Sequence, residues 1–130
     1  GLDNIHNLTS HGYTVLRVDM EYQDKKYFAQ YSSFSVSDEL SKYQLTVSGH
    51  TGTASDSLSY HNNMKFSTYD QDNDLYSGNC ASDYQGAWWF NTCFTAFLNG
   101  VWASNDNTGS YWFGAISNSV SFSEMKVRRV

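Results

Sequence analysis

The run Asp70-Gln71-Asp72-Asn73-Asp74-Leu75-Tyr76-Ser77-Gly78-Asn79-Cys80 sets the hardest condition on how this chain can fold. It places the carboxylates of Asp70, Asp72 and Asp74 within five residues, so an ordered loop here either repels itself or has its charge neutralised. A hard divalent cation does the second. Calcium takes roughly six to eight oxygens, and an irregular glycine-containing loop offers backbone carbonyls beside its carboxylates. The helix–loop–helix calcium loop needs glycine after its third acidic position and glutamate at its twelfth, but Leu75 and Ala81 stand there, so a cation would sit in a loop of another type. A solvated acidic turn accounts for the same residues without a metal.

At 130 residues the chain is long enough for one core and reads as one domain. It has no apolar run of membrane-spanning length and no basic-then-apolar leader, which suggests a soluble, secreted chain whose signal has been removed. The net charge is -5, and the cations near the end are only Lys126, Arg128 and Arg129, which argues against a nucleic-acid partner. Ten Tyr and four Trp supply rings and hydroxyls of the kind that hold sugars and other small polar ligands, although most are expected in the core.

Cys80 and Cys93 stand thirteen positions apart, and no further Cys or suitably spaced His completes a zinc set. A disulfide is the economical reading. Closing a loop of that size stabilises a fold by about 3 kcal/mol in the chain-entropy model, and such bonds persist outside the reducing cytosol. Asn7-Leu8-Thr9 is a glycosylation sequon, in keeping with secretion.

Tyr13 to Tyr22 alternates, with Val15, Arg17 and Asp19 on one side and Leu16, Val18 and Met20 on the other, which predicts a strand. Lys26 to Phe34 predicts a second, joined to the first by a hairpin turn at Gln23-Asp24-Lys25. Asp38-Glu39-Leu40 reads as one helical turn, and Tyr43, Leu45 and Val47 alternate again. Together these make a small antiparallel sheet, closed by a strand over Ser121 to Val130. After Ser48-Gly49 the apolar periodicity breaks up, and as far as about Ser119 the expectation is loops and short helical turns held by the disulfide and the metal. The fold class is α+β: a small twisted sheet with short helices, plus a loop-rich binding part.

Catalytic patterns are missing. The chain contains neither Gly-x-Ser-x-Gly nor His-Glu-x-x-His, and His6, His11, His50 and His61 are scattered among polar residues. The reading is a protein that is not an enzyme. Trp88-Trp89 offers a sugar-stacking platform, although burial of at least Trp88 is the expectation. Leu98-Asn99-Gly100 reads as a turn in which Gly100 supplies backbone freedom.

In order along the chain, Asn4-Ile5-His6, Leu16-Arg17-Val18-Asp19, Tyr31-Ser32-Ser33-Phe34, Lys65-Phe66-Ser67-Thr68, Asp72-Asn73-Asp74, Asn79-Cys80-Ala81, Gly86-Ala87-Trp88-Trp89 and Glu124-Met125-Lys126-Val127-Arg128 resemble motifs of the fibrinogen-related domain. That family includes ficolins, tachylectins, angiopoietins and the fibrinogen chains. The likeness covers the whole chain but begins partway into the family's domain. It therefore implies either a lineage lacking the usual first subdomain or a fragment. What remains resembles a central sheet subdomain, 1–51 with 120–130, and a calcium- and ligand-binding subdomain, 52–119.

Carried over by position, the resemblance implies that calcium is held by the side chains of Asp72 and Asp74 and the carbonyls of Tyr76 and Gly78, with Asp70 a neighbour. It also implies a Cys80–Cys93 disulfide and a cis bond at Thr92-Cys93. In acetyl-binding members a pocket lies beside that disulfide, with a donor amide near the second cysteine and a tyrosine at the position of Tyr84. Phe94 stands where a histidine usually follows, and the segment from Gly100 to Trp112 is shorter than in ficolins. A second pocket tyrosine would thus fall near Asp106 or Asn107, and a third near Ile116 or Asn118. A remodelled pocket would draw on Tyr111, Trp102 or Phe113, and the charged residues of the fibrinogen peptide hole are not matched here apart from a possible acid at Asp106. The ligand-binding set expected on this basis is Tyr84, Thr92, Cys93, Phe94, Asp106 and Tyr111.

The resemblance implies an extracellular, calcium-binding, lectin-like module for acetylated or related glycans on microbial or host surfaces, in innate immunity. Its alternative is a protein or peptide recognition module using the same pocket. A chain lacking the usual first subdomain either folds as a monomer or shields the uncovered sheet by self-association as a homo-oligomer, and the sequence leaves both open.

Overall fold

A computed structural model describes residues 1–104, 106 and 108–130. Helix α1 (Leu2–Ser10) opens the chain and leads into β1 (Val15–Tyr22), β2 (Lys25–Val36) and β3 (Leu45–Gly52). Short pieces follow: α2 (Cys80–Tyr84), β4 (Ala96–Phe97) and β5 (Tyr111–Trp112), before β6 (Phe122–Arg128) returns. The main sheet is antiparallel in the order β3-β2-β1-β6, and β4 pairs with β5 in a separate ribbon.

Alternation in β1 places Leu16, Val18 and Met20 in the core and leaves Arg17 and Asp19 half-buried on the other face. There the Arg17 guanidinium donates from Nε and Nη2 to the Asp19 carboxylate, and Lys126 of β6 reaches the same carboxylate at 3.0 Å. The hairpin turn is two residues, because Tyr22 pairs with Lys25 while Gln23 and Asp24 both take positive φ. Two such residues match the twist of the flanking strands. β2 runs past Phe34 to Val36, and its buried positions change parity at Ser32-Ser33, from Ala29 and Tyr31 to Phe34 and Val36. Beyond that point Phe34 and Val36 face Val47 and Leu45 of β3.

β3 also continues past Ser48-Gly49, to Gly52. Gly49 permits this. Its φ is +77°, and a Cβ there would lie 1.9 Å from Ser32 Oγ. Composition signalled an end to the strand, but the glycine serves a close strand crossing inside it. The 3₁₀ turn expected near Asp38 spans Glu39–Ser41, capped by Asp38, whose Oδ1 accepts the Ser41 amide.

Helix α1 has no counterpart in the sequence reading. Leu2, Ile5 and Leu8 recur at a helical interval that a strand-led reading passes over. Its Thr9 is buried, accepting the Val36 amide and donating to His6 O, so the sequon threonine has a structural role.

One cluster of buried side chains joins the sheet to the loop-rich half, from Leu16, Val18 and Tyr31 to Trp88, Phe90, Phe97 and Trp112. Trp88 and Trp89 are both buried, so neither is a sugar-stacking surface. Trp89 donates from Nε1 to Tyr43 O at 2.8 Å, and Trp112 to Ser55 O at 2.8 Å. In this way the indoles pin loops to the sheet while filling the core.

Candidate functional site

Cys80 is the first residue of α2, capped by Asn79, whose side chain accepts the Ser82 amide. Its sulfur is bonded to Cys93 at 2.05 Å, across a separation of thirteen residues. The Thr92-Cys93 peptide is cis. His61 holds the strand of chain that follows. It is fully buried, its Nδ1 donates to Trp89 O at 2.8 Å, and its Nε2 accepts the amides of Thr95 at 3.2 Å and Ala96 at 3.1 Å. Burial lowers its pKa to about 4, and this neutral tautomer is the one the three bonds require. His61 is therefore a structural brace behind the site.

Beside the disulfide lies a pocket of about 460 Å³. The chain brings Tyr84, Thr92, Cys93, Phe94, Asp106 and Tyr111 together in it, with Gly109, Ser117 and Asn118. Phe94 is the hinge of the aromatic wall, stacking edge-on to Tyr84 at 4.8 Å and to Tyr111 at 5.8 Å between centroids. Trp102 and Phe113 do not line this pocket, and both are well exposed. Ile116 is buried in the core, while Asn118 lies in the lining. Asn107 lies outside the described residues. Among the described residues no acceptor partners the Cys93 and Phe94 amides.

Asp106 brings a fixed negative charge. Hydrogen bonds from the Ser104 and Thr108 hydroxyls and from the Thr108 amide (2.8 Å) lower its pKa to about 2. Gly100 helps place this segment. Its Cβ, if present, would stand 2.2 Å from Gly109 O, and Val101 donates to Thr108 O at 2.6 Å. The φ of Gly100 is not positive, so the position needs a small residue for backbone approach, and not the conformational freedom expected of a turn glycine. Gly109 and Ser117 also line the pocket, and neither carries a local sequence signal that points to it.

The acidic loop is tied to the crosslink through the Cys80 amide. Asp74 accepts the amides of Tyr76 (Oδ1, 3.0 Å) and Cys80 (Oδ2, 3.0 Å), and Asp72 accepts the Asp74 amide at 3.2 Å. Burial and the neighbouring Asp72 raise the Asp74 pKa, opposed by the Cys80 amide. Asp70 is turned to Thr68, whose hydroxyl it accepts at 2.7 Å. Among the described residues no three His, Cys, Asp or Glu side chains converge, so any cation here would take its remaining oxygens from backbone and water. The donor chemistry fits a hard cation: the neighbouring Asp72 carboxylate raises the cost of ionising Asp74, and among the described residues no basic side chain bonds to either.

Residues 1–130 match the family described as fibrinogen beta and gamma chains, C-terminal globular domain. The chain belongs to this family. Among relatives of this fibrinogen-type domain, human tenascin-R is 46% identical over 131 residues, taking in 98% of this chain and 10% of that protein. Fibrinogen-like protein A of Apostichopus parvimensis is 43% identical, over 98% of this chain and 48% of that protein. The fibrinogen domain here thus spans a tenth to about half of the length of these relatives. The solved fibrinogen-like globe domain of human ANGPTL2 superposes with a TM-score of 0.93 at 39% identity, covering 99% of this chain and 64% of that one. A lamprey fibrin D-dimer complexed with the peptide ligand Gly-His-Arg-Pro-amide superposes with a TM-score of 0.87 at 27% identity, covering 98% and 48%.

Proposed function

We propose that this domain is an extracellular recognition module whose pocket beside Cys80–Cys93 takes a short segment of a protein partner, with a cationic group against Asp106 and an apolar group against Tyr84, Phe94 and Tyr111. One observation carries the reading: a carboxylate kept ionised by three hydrogen bonds shares a pocket with a three-ring wall. A carboxylate held in place favours a cation, and the rings favour an apolar body beside it. Support also comes from the lamprey fibrin relative, whose bound peptide carries an amino terminus and an arginine. The disulfide supports the extracellular setting. No catalytic step is assigned, because the buried His61 is committed to three structural bonds.

Acetylated glycan recognition is the second reading, favoured by the amides at Cys93 and Phe94 beside the rings, which have no acceptor among the described residues. An acetyl group has one oxygen to receive a donor and one methyl to receive a ring.

We further propose calcium in the acidic loop, held by the Asp72 and Asp74 carboxylates with the Tyr76 and Gly78 carbonyls. There the ion would neutralise the paired carboxylates and stiffen the chain leading into Cys80.

Calorimetric titration separates the two ligand readings. Gly-His-Arg-Pro-amide and N-acetylglucosamine are each titrated into the parent and into Asp106→Asn. Peptide binding that Asp106→Asn weakens supports protein recognition. Binding of the sugar alone, unaffected by Asp106→Asn, replaces that reading with the glycan one.

A further inference from the structure

A second hollow, of about 490 Å³, lies between the turn at 68–71 and the end of helix α2, and its size falls within the roughly 300–1,000 Å³ of small-molecule sites. Thr68 and Gln71 exchange both backbone hydrogen bonds at 3.1 Å, and Asn79 donates to Tyr69 O at 3.1 Å, so the turn is fixed. At its corner the Tyr69 ring is 75% exposed, and the Thr68 hydroxyl holds Asp70 by Oδ1. Gln85 follows α2 at φ 60° and ψ 45°, the left-handed position where glycine is the usual residue. The chain therefore keeps a side chain there against backbone preference. Small residues complete the lining: Ala81 is buried, and a Cβ on Gly86 would meet Asn99 O at 2.7 Å. Tyr69, Asp70, Ser82 and Gln85 all line the hollow, and among the described residues no hydrogen bond occupies Asp70 Oδ2, the Tyr69 and Ser82 hydroxyls or the Gln85 carboxamide.

We propose that this hollow binds one hexopyranose unit of a neutral glycan, with Tyr69 against an apolar C–H face of the sugar ring and Asp70, Ser82 and Gln85 bonding its hydroxyls. The inventory of donors and acceptors selects this class. A carboxylate only accepts, whereas a hydroxyl and a carboxamide both donate and accept, and every sugar hydroxyl does both as well. A cationic ligand would use the ring and Asp70 but leave the Ser82 and Gln85 donors unmet. An anionic sugar would meet the Asp70 carboxylate in a lining that holds no Lys, Arg or His. Tyrosine suits the neutral unit, because its flat apolar body ends in a polar handle that reaches a hydroxylated rim. This site is separate from the pocket beside the disulfide. At about 100° per residue, Ala81, Ser82 and Gln85 share one side of α2 while Cys80 and Tyr84 share another, so the assignment does not rest on the protein-segment reading.

Titration of the isotope-labelled whole chain with the methyl glycosides of glucose, galactose and mannose, followed by backbone amide shifts, tests this. At least one glycoside should move the amides of 69–71, 82 and 85–87 saturably at millimolar sugar. Tyr69→Ala should raise that dissociation constant about tenfold or more. Gln85→Gly should weaken binding as well without lowering the melting temperature, since glycine suits the left-handed position, and this separates lost recognition from lost folding. Choline is titrated alongside as a cationic probe. No saturable shift with any of the neutral glycosides overturns the proposal, and so do shifts confined to 92–94 and 108–111, which would put the sugar beside the disulfide. Binding that either variant leaves unchanged overturns it too, and a stronger response of the 69–71 and 85–87 amides to choline than to every glycoside replaces the sugar with a cation.

Discussion

Asp74 and Cys80 are tied directly: the carboxylate Oδ2 of Asp74 accepts the amide of Cys80 at 3.0 Å, so the acidic loop and the crosslink share one hydrogen bond. Asp72 is the outer partner, exposed and accepting the Asp74 amide alone. The two aspartates therefore do different work. Asp74 organises the loop from within, whereas Asp72 adds a second carboxylate at its surface.

That difference predicts two distinct outcomes. Asp72→Asn should remove most of any rise in melting temperature that calcium produces over chelator while leaving the chelated protein nearly unchanged. Asp74→Ala should remove the rise and also destabilise the chelated protein by about 1–2 kcal/mol, for the lost bonds to the Tyr76 and Cys80 amides. Thermal melts of the three proteins in calcium and in chelator check this. Identical parent melts in both would end the calcium reading.

Acid should weaken the fold through His61. Its folded pKa lies near 4 against an ordinary value of 6.5, so below about pH 6.5 the unfolded chain binds a proton that the folded one refuses. Stability is thus fully present above pH 6.5 and falls as pH drops toward 4, by about 3 kcal/mol over that window. Denaturant titrations at stepped pH measure the slope. His61→Gln should flatten it, at the cost of lower stability at neutral pH, and an unchanged slope in that variant would assign the effect elsewhere.

Binding through Asp106 should be insensitive to the same acid. Its carboxyl is held near 2 by Ser104 and Thr108, so affinity for a cationic peptide should stay constant down to about pH 3 wherever the fold survives. Asp106→Asn should weaken that affinity by about tenfold. Ser104→Ala should move the loss of binding to higher pH. Titration of Gly-His-Arg-Pro-amide across pH measures all three, and a loss of binding near pH 4 in folded parent protein would point to another group.

The sheet was legible because its strands alternate. Leu16, Val18 and Met20 on β1 announce the buried face without help from the rest of the chain. Helix α1 was not, because its three apolar residues are spread thinly among polar ones and a nine-residue helix depends on packing against β2 more than on propensity. The parity change at Ser32-Ser33 and the run of β3 through Gly49 were hidden for a related reason: both are settled by contacts between strands. Tyr84, Thr92, Cys93, Phe94, Asp106 and Tyr111 meet in one pocket, yet their spacing has no period that could say so, and only the family resemblance joined them. The burial of His61 is likewise invisible locally, since its partners Trp89, Thr95 and Ala96 lie about thirty residues on.

Gly100 gives the most direct test of whether the pocket is a built site. Any side chain there would press on Gly109 O at 2.2 Å and on Thr108 O at 2.7 Å. Both neighbours are backbone, so the 108–110 segment must shift, and it joins Asp106 to Tyr111. Gly109 lines the pocket itself, whereas the His61 brace and the Cys80–Cys93 bond lie outside this segment. Gly100→Ala should therefore reduce peptide affinity more than it lowers the melting temperature, with hydrogen exchange rising at 108–111 and unchanged around 60–62. Equal losses of affinity and stability, with exchange rising throughout, would make Gly100 a general packing residue and remove the distinction between pocket wall and core.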